Sequence, residues 1–351
     1  MSELPKQSIY DLDFSDLLQM VWNTGEPEYR ARQIWGGVYK NLWKDPGQFK
    51  TLPGRLRQEL SNTIDFQPLE PIQAFSSKDE MTVKTLFRLW DGRAIEAVLM
   101  RYNRRRTLCI STQAGCGMGC VFCATGQMGF QRNLSSGEIV AQVLYYAQQL
   151  APQKETVTNV VLMGMGEPFH NYDATMKAID RLNHSDGFAF GARRFTISTV
   201  GLVPAIRRFT AEKRQVNLAI SLHATEDELR SSMLPINKKY PIQELIQACH
   251  EYVDQTHRRI SFEWALIRDV NDSRDQAERL ARLLAGLLCH VNIIPLNPTQ
   301  RYSGQGTTSQ RAQEFQQELE KHGIPCSTRL RRGIDIQAGC GQLAIQHEQV
   351  E

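Results

Sequence analysis

The chain has 351 residues, 41% hydrophobic and 23% charged, with a net charge of +3, enough for one large globular domain and a smaller one. No apolar run approaches the ~20 residues that span a bilayer, and the start, Met1-Ser2-Glu3-Leu4-Pro5-Lys6, lacks the basic-then-apolar order of a secretory leader. A cytoplasmic protein with no membrane partner is expected, its eight cysteines serving as ligands, catalysts or core residues rather than structural disulfides, and so small a charge says little about a polyanionic partner.

Residues 1–75 read as a helical accessory domain. Phe14, Leu17, Leu18 and Val21 recur at helical spacing; Tyr29 to Lys40 places Ile34, Trp35 and Val38 on one side; Pro53 to Asn62 gives a further short helix. Such a unit serves packing or, with its tryptophans and arginines, RNA binding. Residues 76–106 read as a β-hairpin extension, because Thr82–Leu89 and Ala94–Leu99 flank Asp91-Gly92. On these grounds Glu96 is an ordinary strand carboxylate.

From 107 to 330 strands and helices alternate. The strand candidates are Thr107–Gln113, Asn159–Met165, Arg194–Val200, Val216–Leu222, Ile260–Ile267 and His290–Asn297. The helix candidates are Ser135–Leu150, Tyr172–Asn183, Val203–Thr210, Pro241–Gln255, Asp275–Leu287 and Gln310–His322, before an extended run Pro325–Leu330. This alternation predicts a parallel α/β barrel or sheet, with a site at the C-terminal strand ends. Residues 331–351 read as a small-residue tail carrying Cys340.

The unusual residues fall at those ends. The first strand leads to Cys116-Gly117-Met118-Gly119-Cys120-Val121-Phe122-Cys123, three cysteines with no fourth ligand nearby. Three thiolates on a short loop suit a four-iron cluster with one iron open to a small chelating ligand; a zinc site with a distant fourth ligand is the alternative. Met163-Gly164-Met165-Gly166-Glu167-Pro168 ends the second strand, Ser198-Thr199 the third, Ser221-Leu222-His223 the fourth and Pro295-Leu296-Asn297-Pro298 the sixth. Each alone fits a strand-end cap; together they supply polar groups to one mouth. Arginines cluster at 104–106, 193–194, 207–208, 258–259, 329 and 331–332, an RNA path if they share a face. Cys109 fits a strand cysteine, and Cys249, Cys289 and Cys326 fit the core.

The C-x-x-x-C-x-x-C loop resembles the cluster motif of radical S-adenosylmethionine (SAM) enzymes. Together with the basic stretch before Cys109, Met163–Pro168, Ser221–His223 and Gly333–Leu343, it resembles the dual-specificity rRNA/tRNA adenine methyltransferases of the RlmN and Cfr type over nearly the whole chain. The resemblance implies a partial (βα)6 radical SAM barrel with a small N-terminal helical domain and a β-hairpin extension. It implies a [4Fe-4S] cluster on Cys116, Cys120 and Cys123, and SAM held by Gly166, Glu167, Ser198, Ser221, Leu222, His223 and Asn297. Two SAM are used per turnover. One methylates Cys340; the other yields the radical that activates that methyl group for addition to adenine. Cys109 then resolves the RNA–protein adduct through a transient disulfide with Cys340, and Glu96 is the proton acceptor. The implied substrates are an adenosine of the peptidyl-transferase centre of 23S rRNA and one beside the anticodon of tRNA, methylated at C2, with an electron donor such as flavodoxin or ferredoxin. Cfr-type methylation at C8 is the nearest alternative; Pro168 favours C2. An alternative of another class is a non-catalytic RNA-binding or ribosome-assembly protein with structural zinc.

Overall fold

The computed structural model describes residues 6–329 and 331–344. Leu330, the ends of the accessory domain and of the tail (1–5 and 345–351) lie outside the described residues. Helices α1 (Phe14–Asn23), α2 (Tyr29–Tyr39) and α3 (Gly54–Thr63) open the chain and bury Leu17, Val21, Ile34, Trp35, Val38, Leu56 and Leu60. These residues sit at the helical spacing that puts one apolar stripe inward. Their core is continuous with that of the barrel.

Strand β1 (Glu70–Ser76) then starts a sheet inside the segment read as helical. It is an edge strand, half exposed, where Pro71 is tolerated because an edge position need not donate to a neighbour. It pairs antiparallel with β2 (Thr82–Arg88), and β2 pairs with β3 (Ala94–Arg101) in the expected hairpin, with Thr85 opposite Ala97. The tip presents Trp90, 68% exposed.

The hairpin is continuous with the barrel sheet, because β3 also pairs antiparallel with β4 (Arg106–Cys109). From β4 onward the sheet is parallel: β5 (Asn159–Leu162), β6 (Phe195–Thr199), β7 (Asn217–Ser221), β8 (Ile260–Leu266), β9 (Cys289–Pro295) and β10 (Cys326–Thr328) follow in chain order. Among the described residues this is one ten-stranded sheet. The crossovers carry α4 (Ser136–Leu150), α5 (Tyr172–Asn183), α6 (Val203–Ala211), α7 (Ile242–Thr256), α8 (Arg274–Leu283) and α9 (Ser309–Lys321). Ile197, Leu218, Ile220, Phe262, Val291 and Ile293 are fully buried, each contributing about 1.5–3 kcal/mol of transfer free energy.

The first parallel strand is shorter than the sequence suggests. It stops at Cys109, and Gln113–Gly115 instead pairs antiparallel with Phe130–Asn133. No described helix is long and apolar enough to cross a membrane.

Candidate active site

The ribbon of Gln113–Gly115 and Phe130–Asn133 closes the base of the cysteine loop. Gly115 has φ +72°, and a Cβ there would stand 2.0 Å from the Gly129 carbonyl oxygen, so no larger residue fits. The Cys116 amide donates to that same carbonyl at 2.8 Å. Further along, Val121 N–H donates to Met233 O (3.1 Å) and Ala124 N–H to Gly341 O (2.8 Å), while Thr125 Oγ1 donates to Leu343 O (2.6 Å). The loop is therefore anchored both to the barrel and to the segment around Cys340.

Cys116 and Cys120 are buried, Cys123 partly so, and the three thiols lie close enough to perturb one another. Burial pushes all three up, Cys116 to about 12. Thiolates there need a cationic centre to hold them. Among the described residues no group of three His, Cys, Asp or Glu is placed to hold a single metal ion. A four-iron cluster spreads its thiolates over separate irons, and the donor set of three cysteines fits it.

Beside the loop lies a cavity of about 140 Å³, lined by Cys120, Cys123, Gly166, Glu167, Ser198, Ser221, His223, Asn297 and Cys340. Six of the seven residues expected to hold SAM meet here. The seventh, Leu222, does not line it: its side chain is buried, while its backbone bonds to Glu263 and Arg230. Gly166 (φ +98°) packs on Gln113, leaving only 2.5 Å between a Cβ and the Gln113 Cβ. Glu167 accepts from the Phe169 and Val200 amides, both at 3.0 Å, yet burial pushes its carboxyl up to about 7. His223 Nδ1 accepts from Ala265 N–H at 2.9 Å, which puts the ring proton on Nε2, and burial pushes the imidazole down to about 3, so it stays neutral. Asn297 donates from Nδ2 to the Cys340 carbonyl at 3.0 Å, and its buried Oδ1 has no hydrogen-bond partner. Together with the ionisable Glu167, that spare acceptor suits an amine- and hydroxyl-bearing ligand such as SAM.

A second cavity, about 1080 Å³, opens on the far side of Cys340 and contains Cys109. Met163, Glu263, Ile294, Asn297, Cys340 and Leu343 line both cavities and form the shared wall. Arg329 lies near both thiols. Cys109 is partly buried and Cys340 exposed to the cavities it borders; desolvation by the surrounding protein raises both thiols, with Cys340 adding to the rise of Cys109 and Arg329 opposing both. Both cysteines are free thiols.

Arg105, Arg193, Arg258, Arg259, Arg329 and Arg332 line this same cavity, so every arginine cluster except 207–208 has a member on one face with the two cysteines. The 207–208 cluster does not join them; Arg207 pairs with Glu251 and Arg208 with Asp173. In the cavity Arg329 stands 4.0 Å from Glu263 and Arg332 3.9 Å from Asp79, while Arg193 and Arg258 have neutral partners. Arg193 donates to Gln215, and Arg258 to Gln215 and Asn217.

Glu96 stands apart. Its side chain is 0% exposed and lines neither cavity; Oε1 pairs with Lys84 Nζ at 2.8 Å and Oε2 accepts from Ala344 N–H at 3.0 Å. Sequence reasoning also missed Glu263 and Lys84. Each is a charged residue in an otherwise strand-like run, and that is the signal that could have found them.

The Radical SAM superfamily model matches residues 110–284. The "probable dual-specificity RNA methyltransferase RlmN" of Chloroflexus aurantiacus is 48% identical over 98% of this chain and 94% of its own. The chain belongs to the RlmN family of radical SAM enzymes. A second relative, "dual-specificity RNA methyltransferase RlmN 1" of Myxococcus xanthus, is 46% identical over 96% of this chain and 94% of its own. The crystal structure of a radical SAM methyltransferase from Sphaerobacter thermophilus superimposes with a TM-score of 0.94 at 50% identity, covering 96% of this chain and 99% of that one. RlmN-family membership carries a [4Fe-4S] cluster and SAM as cofactors.

Proposed function

We propose that this protein methylates C2 of an adenosine in the peptidyl-transferase centre of 23S rRNA and of an adenosine beside the anticodon in tRNA, acting in the cytoplasm with an electron carrier such as flavodoxin or ferredoxin. The observation that carries the reading is the position of Cys340, in the wall between the small cavity beside the cysteine loop and the large arginine-lined cavity that holds Cys109. A residue there can receive a group from one side and deliver it to a base on the other.

Cys116, Cys120 and Cys123 hold the cluster, and Gly166, Glu167, Ser198, Ser221, His223 and Asn297 hold SAM, with Leu222 contributing only by placing its neighbours Ser221 and His223. The cluster with SAM supplies a transferable methyl group and a hydrogen-abstracting radical. Adenine C2 is electron-poor, so simple displacement by a nucleophilic base is closed to it. Cys340 accepts the methyl group on sulfur; with one hydrogen atom abstracted from it, the methyl carbon bonds to C2 as a covalent adduct, which gives up its unpaired electron to the electron carrier. Glu96 takes the ring proton. Cys109 attacks the Cys340 sulfur: an S–S bond forms, the bond from that sulfur to the adduct carbon breaks, and its electron pair leaves with the product carbon, which takes up a proton. Arg193 and Arg258, held by neutral partners, draw phosphates to the cavity, and the target base must leave its stack to reach Cys340.

In cluster-loaded protein, Cys109→Ala is expected to accumulate an RNA–protein adduct on a denaturing gel, and Cys340→Ala to form none. Active protein whose Cys109→Ala variant turns over without adduct would overturn both roles.

A further inference from the structure

Lys84 is a buried cation that no role above uses. It sits on β2, diagonally across from Glu96 on β3, since Leu86 faces Glu96 and Lys84 faces Val98. That diagonal brings long side chains within reach on one face. Their ion pair measures 2.8 Å with side-chain exposures of 5% and 0%. Lys84 Nζ also stands 5.4 Å from the Phe75 ring centroid and donates to the Gln337 carbonyl at 3.5 Å. Glu96 Oε2 in turn accepts from the Ala344 amide at 3.0 Å.

Gln337 and Ala344 flank Cys340 on its two sides. One buried ion pair therefore grips both flanks of the segment that carries the methyl-accepting thiol. Burying two charges costs solvation, and a buried pair that loses one charge leaves the other uncompensated. Such a pair is a poor device for stability alone and a good one for a two-position latch. It also accounts for a difficulty: a base that must reach adenine is here covered, and the residues around Cys340 are part of the cover.

We propose that Lys84 is a positioning residue for the proton-removal step: it clasps Glu96 and the Cys340 segment together, and loss of the Glu96 charge releases that segment. This rests on the role given to Glu96 above. When Glu96 takes the ring proton, the C–H electron pair stays in the ring, the adduct's unpaired electron leaves to the electron carrier, and the carboxylate becomes a neutral acid. Lys84 is then left without a carboxylate partner among the described residues, and Ala344 N–H loses a charged acceptor. The segment loosens at the stage when Cys109 needs access to the Cys340 sulfur.

The groups facing Glu96 are Lys84 from β2 and the Ala344 amide, with Ser111 Oγ and Met165 Sδ on its backbone. Burial raises the carboxyl and Lys84 opposes that rise. The sign follows: the clasp is present above the Glu96 pKa and lost as pH falls through it, and removing Lys84 moves that midpoint to higher pH.

The test is hydrogen–deuterium exchange of segment 337–344 in the full, cluster-loaded chain without RNA, corrected for intrinsic rates and followed against pH. Lys84→Met is expected to speed exchange there at least tenfold at neutral pH, and Lys84→Arg to restore most of the protection. The low-pH loss of protection seen in the parent should shift upward by a unit or more in Lys84→Met. Because Lys84→Met leaves a buried carboxylate and could unfold, the neutral pair Lys84→Met/Glu96→Gln is measured alongside and is expected to exchange fast at all pH. Unchanged exchange in Lys84→Met, or protection kept by the neutral pair, would overturn the latch. No RNA is present, so the result stands apart from whether adenine is the substrate.

Discussion

At Glu167 burial and hydrogen bonding oppose each other. The Phe169 and Val200 amides favour the carboxylate, but burial wins and the group titrates near 7. An acid protonated below 7 cannot hold an ammonium group as a carboxylate would. SAM affinity is therefore expected to rise with pH up to about 7, losing up to about tenfold per unit below it. Glu167→Gln should flatten that profile as well as weaken binding, as measured by equilibrium binding of SAM to cluster-loaded protein; a flat profile in the parent would remove the ammonium role. His223 behaves oppositely: neutral down to about 3, it adds no pH dependence of its own in this range.

The arginines of the large cavity lie in loops and one 3-10 turn beside the strands, and the partners of Arg193 and Arg258 distinguish them from Arg207. Arg193 and Arg258 are steadied by Gln215 and Asn217, which orient a guanidinium without cancelling its charge. Arg207 is paired with Glu251 and Glu244. Arg193→Ala or Arg258→Ala is expected to weaken RNA binding and lower the salt slope by about 1, whereas Arg207→Ala should leave RNA affinity within about twofold. Filter binding across a salt series separates these outcomes.

Elements also show what the sequence could disclose. The parallel strands were readable because buried strands are continuous apolar runs bounded by turns, as in β7 and β8. The cysteine loop and the polar strand ends were readable because their chemistry is local in sequence. Strand β1 was not, because an exposed edge with one proline has little apolar pattern. The Lys84–Glu96 clasp was not, because it depends on a cross-strand diagonal and on a tail more than two hundred positions away. The cavity arginines could be counted in sequence, but only the fold shows that Arg193 and Arg258 share a face and Arg207 does not.

At the scale of the whole molecule, two carboxylates, Asp11 and Asp13, tie the helical domain to the barrel. Asp11 accepts from Gly137 N–H (2.6 Å), Ser135 Oγ (2.8 Å) and Ser136 Oγ (3.0 Å), and so caps the first turn of α4 from outside the helix. Arg181 of α5 reaches back to Asp13 at 2.5 Å and to the Tyr10 carbonyl. Asp11→Ala is expected to cost about 1–2 kcal/mol, the usual loss of a cap, read as a lower urea midpoint at unchanged slope. No change in midpoint would mean that the Asp11 cap adds nothing to the hold of Asp13 and the shared apolar core.

The same frame carries the chemistry: the sheet holds Cys109 and Glu96, the strand ends hold the small cavity, and the segment after β10 brings Cys340 between them. The most direct test of this account is the product. Anaerobically reconstituted protein is incubated with SAM, a reductant and unmodified 23S rRNA fragment, and the digested nucleosides are identified by mass spectrometry. The account expects 2-methyladenosine. An RNA left unmodified by protein that holds its cluster and cleaves SAM, or one carrying 8-methyladenosine instead, would contradict it.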